Sequence, residues 1–260
     1  MSKQNLKLYW WAKTENGKKN FGDWLSPVLC EAISGKKVVY ADPSQCDLVA
    51  IGSILQKTKN HFWSRRIHVW GSGLIEKKAK FRSPHYFHAV RGELTAKTIS
   101  NKKIQTLGDP GLLCDLLLPP SKKDKFFKLG IIPHYVDKEH PLLTELSKYK
   151  HVCIIDIFSE ITDFLMQVSR CDFILSSSLH GLIVADALKI PNGWIKLSQQ
   201  VRGDDFKFAD YYSVFGLTAI KPYPIHAATT TAEVESWCAP YQRPGLDQIK
   251  QRLHEAFPFR

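Results

Sequence analysis

The sequence predicts an α/β protein built from two parallel-sheet lobes, and three observations carry that expectation. Short continuous apolar runs alternate with helical stretches through most of the 260 residues. Continuous runs, unlike strictly alternating ones, suit strands buried on both faces by crossover helices. The alternating series also occurs twice, on either side of the proline pair and charged run PPSKKDK (119–125), whose composition suits a linker. Together these imply two Rossmann-like lobes with a cleft between them, residues 1–118 forming the N-terminal lobe and residues 119–260 the C-terminal lobe.

In the first series, residues 6–11 read as a strand, followed by the polar segment TENGKKN. Asp23 is placed to cap a helix over residues 24–33, with Pro27 tolerated near its first turn and Gly35 positioned to end it. Residues 37–40, 48–51, 67–70 and 86–90 read as further strands, and the helical pattern returns over 91–99. In the second series, strands are expected at 129–132, 152–155, 173–175 and 194–197. Helices are expected near 142–148, from a Ser159 cap to residue 170, and over 180–188.

Charge is unevenly divided. The chain has a formal net charge of +11, with 19 Lys+Arg against 9 Asp+Glu in residues 1–118 but 17 against 16 in residues 119–260. The densest stretch, 57–82, holds Lys57, Lys59, Arg65, Arg66, Lys77, Lys78, Lys80 and Arg82 against Glu76 alone, interleaved with Phe62, Trp63, Trp70 and Phe81. Such a stretch suits an anionic surface, or is simply a solvated basic face. The longest segment without a charged residue is 13 residues, 173–185, shorter than the about 20 that a spanning helix needs. The apolar stretch near the N-terminus is interrupted by Lys7 and lacks a small-residue cleavage site, so a cytoplasmic protein is expected. Six cysteines, no two closer than 16 residues, form neither a CxxC pair nor a dense disulfide framework and are expected as buried free thiols.

In open parallel sheets, ligands bind beyond the carboxyl ends of the strands. Four polar segments lie there. NFGD (20–23) leads from the first strand into a helix, and its Asp23 is either a plain cap or a catalytic group. In WGSG (70–73), Gly71 and Ser72 allow close backbone approach or merely make a turn. In VRGE (90–93), Arg91 is a candidate clamp for a carboxylate or phosphate, or a salt-bridge partner. In SSSLHG (176–181), Ser176, Ser177, Ser178, His180 and Gly181 gather hydroxyls, backbone donors and an imidazole at one strand-to-helix junction. A P-loop, a GxGxxG fingerprint, HExxH and GxSxG are all absent, and the histidines lack metal spacing.

Taken in order, NFGD (20–23), GSG (71–73), VRGELT (90–95), LGDPGLL (107–113), IIPHY (131–135), SSSLHGLIVADAL (176–188) and DFKFADYYSVFG (205–216) resemble the polysaccharide pyruvyl transferase family, and in its shortness the chain is similar to the compact bacterial exopolysaccharide ketal-pyruvate transferases. The resemblance implies a GT-B-like arrangement of the two lobes, phosphoenolpyruvate as donor substrate with no other cofactor, and a glycan acceptor, plausibly lipid-linked, that receives a cyclic pyruvate ketal as phosphate leaves. It implies His180 as general acid or phosphate-contacting imidazolium, Arg91 as anion clamp, Asp23 as orienter or base for the acceptor hydroxyl, and His134 as part of the donor lobe. The family often carries arginine where this chain has Ser178, and Arg91, Lys196, Arg202 and Lys207 are candidates to replace it. Under this reading the N-terminal lobe faces the acceptor, the C-terminal lobe faces the donor, and the basic stretch rests against an anionic membrane at the inner face of the cell membrane. A GT-B glycosyltransferase using a nucleotide sugar shares the expected fold. A nucleic-acid-binding module is suggested only by the charge and aromatics and has no recognised motif, so no specific nucleic acid is expected.

Overall fold

A computed structural model describes residues 5–14, 17–58, 61–119, 124–203 and 205–260. Part of the TENGKKN segment, part of the proposed linker and Lys59 lie outside the described residues. The architecture is α/β, with two parallel sheets.

The first strand, β1 (Leu6–Tyr9), leads to helix α1 (Phe21–Ser34). This helix begins earlier than expected, because Asn20 and not Asp23 supplies the cap: the Asn20 side chain accepts from the Gly22 N–H at 3.0 Å. Asp23 is thereby moved into the first turn, and its carboxyl is left free for other work. Gly35 ends the helix in the left-handed conformation, as the sequence implies. The strands β2 (Val38–Tyr40), β3 (Leu48–Val49), β4 (His68–Trp70) and β5 (Tyr86–Ala89) complete a parallel sheet of order β2-β1-β3-β4-β5. Helix α2 (Glu93–Thr98) follows, and then a 3₁₀ helix, Pro110–Leu117, that the sequence pattern did not reveal.

The second sheet is formed by β6 (Phe127–Ile132), β7 (Val152–Ile154), β8 (Cys171–Ser176) and β9 (Asn192–Trp194) in the order β7-β6-β8-β9, again all parallel. Between them run α3 (Pro141–Leu146), α4 (Ile161–Ser169) and α5 (Leu179–Ala187). Two expectations are corrected. Helix α4 starts after Glu160 without a side-chain cap, because Ser159 belongs to the preceding turn, its N–H donating to the Asp156 carbonyl. The last strand lies earlier than 194–197, since its register sets Asn192 against Ile174 and Trp194 against Ser176.

A single hydrophobic cluster joins the two sheets, including Leu8 and Trp70 from the first and Ile132 and Ile174 from the second. Between the sheets, Phe21 of α1 stacks on Phe164 of α4 with ring centroids 3.9 Å apart. Three C-terminal helices, α6 (Phe206–Tyr212), α7 (Thr231–Cys238) and α8 (Leu246–Glu255), were not legible as helices from the sequence pattern. Two of them return to the first half of the chain. The Trp70 indole donates to the Leu253 carbonyl of α8 at 2.8 Å, and Asp210 of α6 forms a buried ion pair with Arg91.

That ion pair is surrounded by further hydrogen bonds. Both side chains are 0% exposed, with Arg91 Nε 3.0 Å and Nη2 2.9 Å from Asp210 Oδ2. Thr95 donates its N–H to Asp210 Oδ1 and its hydroxyl to Oδ2, and Arg91 further donates to Ser53 Oγ and the Leu74 carbonyl. Gly73 leaves the space for the guanidinium, since a Cβ there would lie 2.4 Å from Arg91 Cζ. Removing one member strands the other as an uncompensated buried charge. Asp210→Ala is therefore expected to lower unfolding free energy by about 3–5 kcal/mol in urea titration.

Candidate active site

Each sheet reverses its winding direction at one point, and such switch points open a crevice at the carboxyl ends of the flanking strands. In the first sheet this lies between β1 and β3, and in the second between β6 and β8. The two crevices meet in one cavity of about 200 Å³. From the first sheet it is lined by Asn20 and Asp23 after β1, Ser53 after β3, and Arg91 after β5. From the second come His134 after β6 and Ser178, Leu179 and His180 after β8. Lys207 from α6 and Arg202 close it, with Trp11 and Lys57 at its rim.

His180 sits in the first turn of α5 against α1. A Cβ on Gly22 would fall 1.8 Å from His180 Nδ1, so the imidazole occupies the space that a side chain at position 22 would need. Desolvation first, and then the positive charges of Lys207 and Arg91, hold its pKa down at about 3. In the empty cavity the neutral imidazole is therefore the favoured form. His134 is held down at about 3 as well, by burial, Lys207 and His180, and its ring accepts a bond from the Val136 N–H.

Lys207 is the electrostatic centre of the cavity. It is 7% exposed, and it has no hydrogen-bond or ion-pair partner among the described residues. Burial and the Arg91 charge lower its pKa to about 8, against the opposing pull of Asp23 and Asp137. Asp23 is pushed up to about 7 by burial, partly offset by Lys207. Two carboxyl-bearing turns therefore face a cationic hollow, because Asp109 also lines it. Asp109 is fully buried, bonded through Oδ1 to the Gly111 N–H at 2.9 Å, with Oδ2 unpartnered and its pKa raised by burial to about 6. Sequence reasoning passed over Asp109 as part of LGDPGLL, although an aspartate followed by Pro-Gly at a strand exit was a usable signal. Lys57 was read only as part of the basic stretch.

Several expected site residues do other work. Arg91 reaches the cavity wall, but its guanidinium is bound to Asp210, Ser53 and Leu74, so the salt-bridge alternative describes most of its donors. Ser176 and Ser177 do not line the cavity: the Ser176 hydroxyl bonds the Ile132 carbonyl and the Ser178 N–H, while Ser177 donates to Asp137 and accepts from the His134 N–H. Gly181 gives room to the Ser176 hydroxyl and Ile132. Gly71 packs on Pro110, and the Ser72 hydroxyl is spent on the Gly52 carbonyl, which makes the Gly-Ser-Gly segment a structural turn. Lys196 points to a separate hollow and pairs with Asp205 at 3.1 Å. Ser178 does reach the cavity, as N-cap of α5 with no side-chain capping bond. Among the described residues no group of three or more His, Cys, Asp or Glu is placed to hold a metal ion, and the six cysteines are free.

Paired switch points bound a cationic, carboxyl-bearing cavity, and comparison with known proteins gives the family. Residues 2–198 match polysaccharide pyruvyl transferase, and the chain belongs to that family. It is 31% identical over 216 residues to Uncharacterized protein L143 of Acanthamoeba polyphaga mimivirus, covering 76% of this chain and 71% of that protein. It is 26% identical over 217 residues to Succinoglycan biosynthesis protein ExoV of Rhizobium meliloti (strain 1021), covering 82% of this chain and 66% of that one.

The contact between Gly22 and His180 gives a direct test of the site. Gly22→Ala must displace the imidazole, and a misplacement of about 1 Å costs on the order of 100-fold in rate. A fall of that size in kcat, with the melting temperature nearly unchanged, is the expected result of steady-state kinetics and thermal scanning.

Proposed function

We propose that the protein transfers pyruvate from phosphoenolpyruvate onto two hydroxyls of a sugar in an exopolysaccharide or its lipid-linked precursor, forming a cyclic ketal and releasing phosphate. The observation that carries this reading is Lys207, a buried ammonium with no hydrogen-bond or ion-pair partner among the described residues, set beside Arg91 and two histidines at the meeting of two switch points. A buried cation with a like charge for a neighbour is costly unless an anion joins it. The carboxylate and phosphate of phosphoenolpyruvate would supply that anion. Lys207 thus takes the part of the arginine that the family often carries at the position of Ser178, and Arg202 and Lys57 attract the donor at the rim. The two sheets are read as the lobes of a GT-B-like enzyme working in the cytoplasm.

The chemistry assigns roles. A proton added to the methylene carbon makes an oxocarbenium-like centre, which one sugar hydroxyl attacks; the second hydroxyl then displaces phosphate. His180 serves as the acid, loaded by the proton that the bound donor's negative charge draws onto it. Asp23, with a pKa near working pH, accepts the proton of an acceptor hydroxyl, the condition under which a general base works best. Ser178 and the first-turn N–H groups of α5 face the donor oxygens. The Asp109 carboxyl forms the inner wall.

Incubation with phosphoenolpyruvate and a panel of hexosides should release phosphate and form ketal, and His180→Ala should reduce turnover by about 100-fold or more. Release of a nucleoside diphosphate from a sugar nucleotide instead would favour a conventional glycosyltransferase.

The charges also set a pH profile. Asp23 must be ionised to act as base, so kcat/KM falls as pH drops through about 7. Lys207 must be protonated to hold the donor, so kcat/KM falls again as pH rises through about 8. A narrow bell is expected, and Lys207→Arg should extend its alkaline side.

A further inference from the structure

Among the described residues, the crossovers β3 to β4 and β4 to β5 contain no α-helix, and their one helical turn is the short 3₁₀ segment Leu55–Lys57. Both lie on the same face of the first sheet. Val49 and Val69 point to that face: Val49 packs with Ile54 and Ile67 of the first loop, and Val69 with Leu55 of the first loop and Leu74 of the second, whereas Leu48 and Trp70 point to the opposite face and join the cluster containing α1 and α8. This agrees with right-handed crossovers moving in one direction along a sheet. A face that helices would ordinarily cover is thus covered by the most basic stretch of the chain.

At the tip of the first loop, Phe62 is 84% and Trp63 70% exposed, the two highest values among the large hydrophobic side chains described. The second loop exposes Lys77, Lys78, Lys80 and Arg82, with Glu76 as its one acid. Both loops start at the cavity rim, where Gln56 and Lys57 of one and Ile75 of the other are part of the lining and the Ile75 N–H donates to Gln56. Lys59 lies outside the described residues and carries no weight here.

We infer that this loop-covered face docks on an anionic lipid bilayer, with Phe62 and Trp63 entering the interface and the lysines of the neighbouring loop lying on the headgroups. The inference deepens the transferase reading and rests on it only for what docking achieves, which is to bring a lipid-linked acceptor to the cavity rim. Charge complementarity and amphipathic form favour this occupant: rings at a water–lipid boundary bury apolar area while flanking cations meet anionic headgroups. A single-stranded nucleic acid would instead need open ring faces for its bases. Here His61 already stacks on one face of Trp63 at 4.8 Å with a 5° tilt, and Phe62 stands edge-on to it at 82°, so the exposed rings form a compact tip and not a row of parallel platforms. Insertion into lipid requires no free ring face.

Sedimentation of the full chain with phosphatidylcholine vesicles, alone and with about 30% phosphatidylglycerol, tests this directly. The wild type should bind the anionic vesicles only. Phe62→Ser with Trp63→Ser, and separately Lys77, Lys78, Lys80 and Arg82 all changed to Glu, should each weaken binding at least tenfold, with unchanged melting temperature and unchanged turnover of a water-soluble acceptor. Vesicle binding by the aromatic double variant equal to wild type would reduce the effect to general charge attraction and overturn the inference. Absence of wild-type binding would also overturn it, as would tighter binding to a single-stranded oligonucleotide that is lost in the same variants. Vesicle binding without any phosphate release from phosphoenolpyruvate would instead count against the transferase reading while leaving the docking face standing.

Discussion

The buried pair between Arg91 and Asp210 is the interaction on which the arrangement of the site depends. It ties the exit of β5 to α6, two segments separated by more than a hundred residues of sequence, and it carries Lys207 with it because that lysine lies on the same short helix. A salt bridge with both partners fully buried is weak evidence of stability for its own sake, since desolvation offsets much of the attraction. Its importance lies in what its loss would expose. With Asp210 removed, Arg91 would lose its ion-pair partner and share the hollow with Lys207, the two histidines and the carboxyls of Asp23 and Asp109. The pair therefore offsets part of the positive charge in the empty state, although Arg91 still depresses the Lys207 pKa.

That arrangement also explains why the titrating groups divide as they do. Burial raises Asp23 and Asp109 and lowers Lys207, bringing these three toward the neutral range from opposite sides, while it drives His134 and His180 well below that range. The two histidines are displaced furthest because burial and neighbouring cations act in one direction on them. Asp23 and Lys207 are displaced less because each feels the other's opposite charge. An anionic substrate would relax this polarisation, drawing protons toward the imidazoles at the moment the chemistry needs them.

Much of the element order was legible because apolar runs and glycine or proline punctuation report strand burial and chain reversal locally. The errors are local too. Asn20 and Asp23 are both competent caps, and only the packing of Phe21 against Phe164 shows that the helix starts at the earlier one. The C-terminal helices were missed because α7 and α8 are polar outside a few buried positions, and α6 is too short for a periodic signal. Within the serine-histidine junction, the motif marked a segment that reaches the cavity but not which of its side chains do. Three adjacent serines look equivalent in sequence, yet a strand end directs successive side chains differently, so Ser176 and Ser177 bond inward and Ser178 faces the cavity.

The sequence by itself determined the α/β class, the two series of strands, the location of the charge excess and the motifs of the polysaccharide pyruvyl transferase family. Those properties are written in composition, periodicity and short-range spacing. Only the tertiary structure decided that Arg91 is chiefly an internal partner, that Lys207 is a buried cation with no ion-pair partner among the described residues, and that Asp109 belongs to the cavity. The physical reason is that charge state and availability depend on burial and on partners brought together from distant parts of the chain. A one-dimensional pattern records which groups are present, whereas their pairing in space decides which of them remain free to bind.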